Sequence, residues 1–414
     1  MVNIGLSLKL KLKVTSDQAE RLKTLMMIYR NACNEVSHYY FDHHFRLNQV
    51  QLHDRLYNKL RRDYALKSQA AQSVLLTVLA RYRSVRTQLS HERVQNGWKL
   101  NTNGNPLLDT KGHPIPVFTC KTLDHLWKPI QFARPQADLV FNRDYSFLSD
   151  GTLSLNTMGK RIKVSYSTKG FKQYLNQDWK LGTAKLVQRR GKFFLHIGAT
   201  KEVPDFETQN VKHVAGLDRG LRFLVTGYDE KGKTLFINGK EIMHTRSKYK
   251  KLRGQLQAKG TYSAKRRLRK IGQREKRWMA DINHQISKAL VAHYGANTLF
   301  TLEDLTGVRF ATEKVSKDRR YEQVSWAFYQ LEQFLTYKAR LNQSEVIKVD
   351  AHYTSQRCPK CGKINKDHRR HETHEYVCEN CGTRSNDDRI GAMNIQLLGT
   401  QYVSGVAAPH FEKD

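Results

Sequence analysis

The sequence predicts a multidomain α+β chain: an antiparallel β-barrel interrupted by a helical bundle, then an α/β domain carrying a metal knuckle. Three observations predict it. At 414 residues the chain has room for two to four modules, each with a real core. Its apolar pattern changes period twice, from helical spacing in 16–95 to alternation in 96–212, then to strands and helices in turn from 213. Four of its six cysteines fall in two Cys-x-x-Cys pairs near the C-terminus.

The opening MVNIGLSLKLKLKVT alternates apolar residues with lysine, which reads as a strand and not as the apolar core of a signal peptide. Thr15 or Ser16 can cap a helix, with Gln18 three residues beyond Thr15 as in a capping box, and that helix is buried along Leu22, Met26, Tyr29, Cys33 and Val36. A second long helix over 67–90 carries Ala70, Val74, Leu75, Val78, Leu79 and Tyr82. Between them HYYFDHHF (38–45) offers rings that could stack on bases, although aromatics at helical spacing belong more often to a core. From about 98 to 212 turn signals such as NTNGNP, DTKGHP, SDGT and RRGK separate short alternating runs, and the first strand is expected to close that barrel.

Residues 213–239 read as a hairpin turning at Glu230-Lys231-Gly232. Two basic helices follow, then the strand NTLFTLEDL, a helix over 325–343, the strand EVIKVDA, the cysteines and a short last helix, with a frayed tail after Gly399. That alternation indicates an α/β domain on a mixed sheet.

The balance of 71 Lys and Arg against 38 Asp and Glu leaves a formal charge of +33, so a polyanion is the expected partner. No run approaches the length of a spanning helix, which points away from a membrane and toward the cytoplasm, in association with the nucleoid of a bacterial-type cell. Between Lys248 and Arg277 stand thirteen Lys or Arg and one acid, Glu275. A merely solvated helix mixes signs, so phosphate contact is expected from Arg253, Lys265, Arg266, Arg267, Arg269, Lys270, Arg274 and Arg277, while Leu268, Ile271, Trp278, Ile282, Ile286 and Leu290 face a core.

Cys358, Cys361, Cys378 and Cys381 form two knuckles with sixteen residues between them, each followed by a glycine. Four thiolates at this spacing suit one tetrahedral, closed and therefore structural zinc. His368, His371 and His374 lie between the knuckles as rival ligands, but four cysteines already fill the shell. Cys33 and Cys120 remain as ordinary thiols.

Acids are few, and some stand where a solvated charge is odd: Asp218 inside VAGLDRGLRFLV, Glu303 and Asp304 after TLFTL, and Asp387 and Asp388 at the start of the last helix. Singly each has a plain reading, as a strand-edge residue, a turn cap or a helix N-cap. Together they come from two strands and a helix of one α/β domain. Carboxylates that meet need cations, and hard oxygen ligands suit the paired Mg²⁺ ions that hydrolyse phosphodiesters.

Four segments, GLDRG (216–220), LEDL (302–305), YTSQRC (353–358) and DRIGAMNI (388–395), follow one another in the order seen in TnpB proteins, which the chain resembles. The resemblance implies an RNA-guided DNA endonuclease related to the compact type V CRISPR effectors. It implies a wedge-type β-barrel (1–15 and 96–212), an inserted helical recognition domain (16–95), an RNase H-like RuvC domain (213–350 and 386–399), a zinc ribbon (351–385) and a flexible tail (400–414). By position Asp218, Glu303 and Asp388 would be catalytic and hold two Mg²⁺, and one Zn²⁺ would sit in the ribbon. Counting back six residues from Asn394 selects Asp388 over Asp387. The chain departs from the family pattern in Arg219, where an apolar residue is common, and in Ile390 and Gly391, where Asn and Ala are usual. The implied partners are a guide RNA and a double-stranded DNA target flanked by a short motif, held by one copy or by a homodimer. A compact CRISPR effector and an RNA-guided protein that binds without cutting are the alternatives; the second would lack a carboxylate, and none is missing.

Overall fold

The computed structural model describes residues 1–167, 170–305, 328–370 and 372–413. The first three residues of the helix expected over 325–343, together with His371 and Asp414, lie outside them. The described chain forms two compact units, Gly5–Lys201, and Met1–Ile4 together with Glu202–Asp414.

In the first unit the strand β1 (Val2–Lys13) gives way at Thr15 to α1 (Ser16–Asp42), with the reciprocal Thr15–Gln18 capping box in place. Then come α2 (Gln49–Asp63), capped likewise by Asn48 and Gln51, and α3 (Ser68–Leu89). The buried face of α3 is the expected one, from Ala70 through Tyr82. Tyr40 meets Tyr82 edge-on at 5.0 Å and Phe45 packs beside both, so these rings of the 38–45 run form core. An exposed pair, β2 (Arg93–Trp98) and β3 (Pro116–Cys120), precedes β4 (Gln136–Leu139), β5 (Tyr145–Phe147), β6 (Leu153–Leu155), β7 (Ile162–Ser167), β8 (Lys180–Arg189) and β9 (Lys192–Val203). Seven strands join in the order β4-β8-β9-β1-β7-β6-β5, with β1 in the middle. A bridge between Phe141 and Tyr145 links the two edges, so the sheet nearly closes into a barrel.

The second unit is built on β10 (His213–Asp218), β11 (Phe223–Tyr228), β12 (Thr234–Asn238), β13 (Thr298–Glu303) and β14 (Glu345–Val349), in the order β12-β11-β10-β13-β14. Where the sequence suggested one hairpin there are three strands, because a second reversal at 219–222 separates β10 from β11 and its turn signal is weaker than that of Glu230–Gly232. Strands β10, β13 and β14 run parallel, and β11 and β12 add antiparallel. One face packs on α5 (Tyr262–Tyr294) and α6 (Phe328–Leu341), through Leu217, Phe300 and Leu302 against Ile286, Leu290, Leu331 and Leu335. The other face carries α7 (Asp387–Val403). It approaches so closely that a Cβ on Gly216 would lie 2.3 Å from the Ala392 carbonyl, and one on Gly399 would strike Thr301.

The frayed tail is a correction. Helix α7 passes Gly399, which faces the sheet, and Phe411 returns to bury against Val349, Ile395 and Leu398 under the Arg357 guanidinium. One anchoring ring in an aperiodic segment leaves no pattern for a sequence to reveal.

Candidate active site and nucleic-acid interface

Parallel pairing sets Leu217 opposite Leu302, so the next residues, Asp218 and Glu303, leave the same end of the sheet side by side. Both point away from the leucine face, toward α7. That helix starts at the N-cap Asn386, whose side chain accepts from the Arg389 amide at 3.1 Å; the cap is neither Asp387, which pairs with Arg369, nor Asp388, whose charge acts on Asp218. Gly391 lies against Asp218: a Cβ there would sit 3.2 Å from its Oδ2. An alanine at this position would crowd the carboxylate.

The three carboxylates feel one another. Burial, then the charges of Glu303 and Asp388, hold Asp218 well above the usual carboxylate range, while Arg369 and the Arg219 amide oppose the shift. Burial also raises Glu303, against the Thr354 hydroxyl and the Arg219 and Arg369 charges. Asp388 is raised by burial and by Asp387, with Arg369, His374 and Arg222 opposing. Among the described residues only the four thiols form a group whose ligand atoms all lie within 4.8 Å of one another. Asp304 is different: it turns to solvent and pairs with Lys348 at 3.2 Å.

Around the acids stand residues that sequence reasoning missed. Arg369, on the two-residue strand β15 (Arg369–Arg370), donates from Nε to Asp387 at 2.9 Å and brings Nη2 to 3.7 Å from Asp388. Thr354 donates its hydroxyl to Glu303, and Asn394, fully buried, donates to the Thr354 and Arg357 carbonyls at 2.7 and 2.8 Å. Arg219 donates to the Glu303 carbonyl at 2.6 Å and pairs with Glu332 of α6 at 3.1 Å. Arg369 was one cation among several in KDHRRHETHE; only the ribbon's fold singles it out.

That ribbon consists of β15, β16 (Glu375–Val377) and β17 (Arg384–Asn386) with two matching knuckles. In each, the first cysteine amide donates across the turn, Cys358 to Lys363 and Cys378 to Thr383, and Gly362 and Gly382 take positive φ. Sulfurs of Cys358 and Cys381, and of Cys361 and Cys378, stand 3.6 Å apart, too far for a disulfide and right for the edges of a tetrahedron with metal–sulfur bonds of about 2.3 Å. The four thiols can hold zinc. His368 is outside the cluster, buried and bonded to the Tyr376 hydroxyl at 3.0 Å, and His374 lies by Asp387 at 3.6 Å. Ile390 of α7 packs with Cys358, Tyr376 and Cys378, so the ribbon core includes the helix that carries Asp388.

Helix α4 (Lys240–Lys259) turns at Gly260, in left-handed conformation, into α5. The stripe of α5 is buried at Ile271, Ile286 and Leu290 and half-buried at Leu268, Trp278 and Ile282. Lys265, Arg266, Arg267, Arg269, Lys270, Arg274 and Arg277 are exposed. A cleft of about 460 Å³ between α4 and α5 gathers Arg266, Arg267, Lys270 and Arg274 around Tyr249 and Ile271. Arg253 is the exception among the expected contacts: it holds buried Glu275 at 2.6 Å and ties the two helices together.

Among known proteins, residues 198–309 match the probable transposase family OrfB_IS605, and residues 328–395 match the Cas12f1-like TNB domain. The chain is 25% identical over 274 residues to the CRISPR-associated endodeoxyribonuclease Cas12f1 of Sulfoacidibacillus thermotolerans, covering 61% of this chain and 63% of that protein. It is 26% identical over 260 residues to the TnpB-like protein MJ0751 of Methanocaldococcus jannaschii, covering 61% and 91%. Its fold matches the protein of a Cas12f1–sgRNA–target DNA complex with a TM-score of 0.57 at 14% identity, over 92% of this chain and 83% of that one. The two matched regions hold Asp218 and Glu303 on one side and all four thiols with Asp388 on the other, and in both the chain is similar to TnpB-like and Cas12f1 proteins.

Proposed function

We propose that this chain is an RNA-guided DNA endonuclease that hydrolyses phosphodiester bonds at Asp218, Glu303 and Asp388, on a sheet of the RuvC (RNase H) type. The observation that carries the reading is the meeting of three carboxylates, half-buried Asp218 of β10 and Glu303 of β13 with buried Asp388 of α7, on a chain of net charge +33. A non-cutting binder has no use for that cluster, whose mutual repulsion weakens the fold unless cations offset it. Three carboxylates are hard oxygen donors of the kind that hold Mg²⁺, and a pair of such ions would offset their charge. Such a pair, when bound, supplies an activated water and positive charge at the leaving oxygen.

The chain's own residues prepare that chemistry. Asp218 and Glu303 hold one wall and Asp388 the other. Thr354 fixes which Glu303 oxygen is turned inward, and Asn394 fixes Thr354. Arg369 offsets part of the negative charge and is positioned to face a phosphate entering beside Asp388. Zinc in the ribbon keeps β15, and so Arg369, in place. Guide and target strands would run along the cations of α4 and α5, with sequence chosen by base pairing while the protein grips backbone and shape. The barrel of 1–15 and 96–212 and the helices of 16–95 would hold the guide and read the flanking motif.

The test is to purify the protein with its RNA, sequence that RNA, and offer a matching duplex with Mg²⁺. Cutting is expected from the natural protein. Asp218→Ala should lose it by a thousandfold or more while binding guide and target as before, since general carboxylate contributions of this kind are large. Cutting by Asp218→Ala at the normal rate would refute the assignment.

A further inference from the structure

Arg219 occupies a place where burial of a guanidinium is hard to justify by stability. Its side chain is 3% exposed and its partner Glu332 is 14% exposed. The surroundings are apolar: Leu217, Val225, Leu290, Leu302, Leu331 and Leu335. The buried Nε has no partner among the described residues. A buried ion pair with an unsatisfied N–H stabilises less than well-packed apolar side chains of similar volume. The pair therefore has something else to do.

Its contacts say what. Arg219 directly follows Asp218 in the chain. One arm of the fork, Nη2, donates to the Glu303 carbonyl at 2.6 Å, and the other, Nη1, to Glu332 on α6 at 3.1 Å. Glu303 is thus held at both ends, its carboxylate by Thr354 and its main chain by Arg219.

We infer that Arg219 and Glu332 form a buried strut through which α6 fixes the spacing of Asp218 and Glu303, and hence the grip of the site on divalent ions. Arg219 is a positioning residue and does not touch the reacting atoms. The inference rests on the proposed nuclease reading.

The double variant Arg219→Leu/Glu332→Leu separates the strut from mere core filling. It replaces the pair with apolar volume, so its melting temperature should stay within a few degrees of the natural protein. Mn²⁺ binding is measured by electron paramagnetic resonance on protein carrying its RNA, and the signal of Asp218→Ala with the same RNA is subtracted. Removal of the strut should weaken that site-specific affinity about tenfold or more, the usual cost of losing a group that orients ligands, and raise the Mg²⁺ needed for half-maximal cutting in step. Arg219→Lys guards against a double variant that fails to fold: its single ammonium can keep Glu332 but cannot also reach the Glu303 carbonyl, and the same loss of affinity is expected. If either variant binds Mn²⁺ and cuts like the natural protein, the strut is refuted and Arg219 only fills space. If the natural protein and Asp218→Ala bind Mn²⁺ alike, the nuclease reading fails and the strut falls with it.

Discussion

Asp218 sits half-buried near two other acids, and its protonation carries a stability consequence with a definite sign. Burial raises Asp218, Glu303 and Asp388 above their ordinary range near pH 4 in the cation-free protein, and neighbouring acids add to the shift at Asp218 and Asp388. A raised carboxyl binds its proton more tightly folded than unfolded. Its contribution is present below the ordinary pKa and is lost as pH rises through the folded value. Magnesium-free protein that keeps its zinc should therefore melt higher as pH falls from neutral toward about 5. Asp218→Asn removes one charge without changing shape, so it should melt above the natural protein at pH 7.5, and the gap should close as pH falls. Adding Mg²⁺ should raise the melting temperature of the natural protein more than that of the variant. A gap that widened on acidification would contradict the crowding. At this scale the sequence was informative where residue type alone decides, as with four cysteines at knuckle spacing, and silent where partners decide. Thr354, Arg369 and Glu332 are ordinary residues until the fold supplies a carboxylate beside each.

Strand β10 and helix α7 touch backbone to backbone, and that contact sets where Asp388 stands. The Cβ of an alanine at 216 would meet the Ala392 carbonyl and the Gln396 amide, both at 2.3 Å, and no side-chain rotation relieves a clash with main chain. Helix α7 must then move off the sheet. Gly216→Ala should cost about 1–3 kcal/mol, the range for overpacking a tight core, and should lower cutting further than the stability loss explains, because Asp388 travels with the helix. Gly254→Ala is the control: its added methyl meets nothing within 4 Å in α4, and it should stabilise by about 0.5–1 kcal/mol. Melting curves and cutting rates for the pair check this; equal behaviour of the two would show that the close approach is unimportant. Most elements were legible beforehand, since β1, α1, α3, α5 and β13 announce themselves by period. Their junctions were not. Asn386, Asp387 and Asp388 are three cap-competent residues in a row, and only the geometry selects Asn386. The extra reversal at 219–222 and the return of Phe411 have no periodic signature either.

Across the whole molecule the excess of 71 basic over 38 acidic residues is a demand for counterions that a nucleic acid meets. What the fold adds is an address for part of that charge. Helix α5 buries Ile271, Ile286 and Leu290, which turns its cations outward, and Glu275, the lone acid of the stretch, is buried and paired with Arg253. Arg266, Arg267, Lys270 and Arg274 around the α4–α5 cleft then face solvent as a group. If each neutralises one phosphate, changing all four to glutamine removes four released counterions. On duplex, the slope of log K against log salt should flatten by about 3–4, at roughly 0.9 per contact. The measurement belongs in the Asp218→Ala protein, which is expected to bind without cutting, and the melting temperature should hardly change because none of the four side chains is buried. An unchanged slope with weakened binding would mean that these cations act through the protein and not on phosphate. An unchanged slope with unchanged binding would move the nucleic acid to another face of the chain.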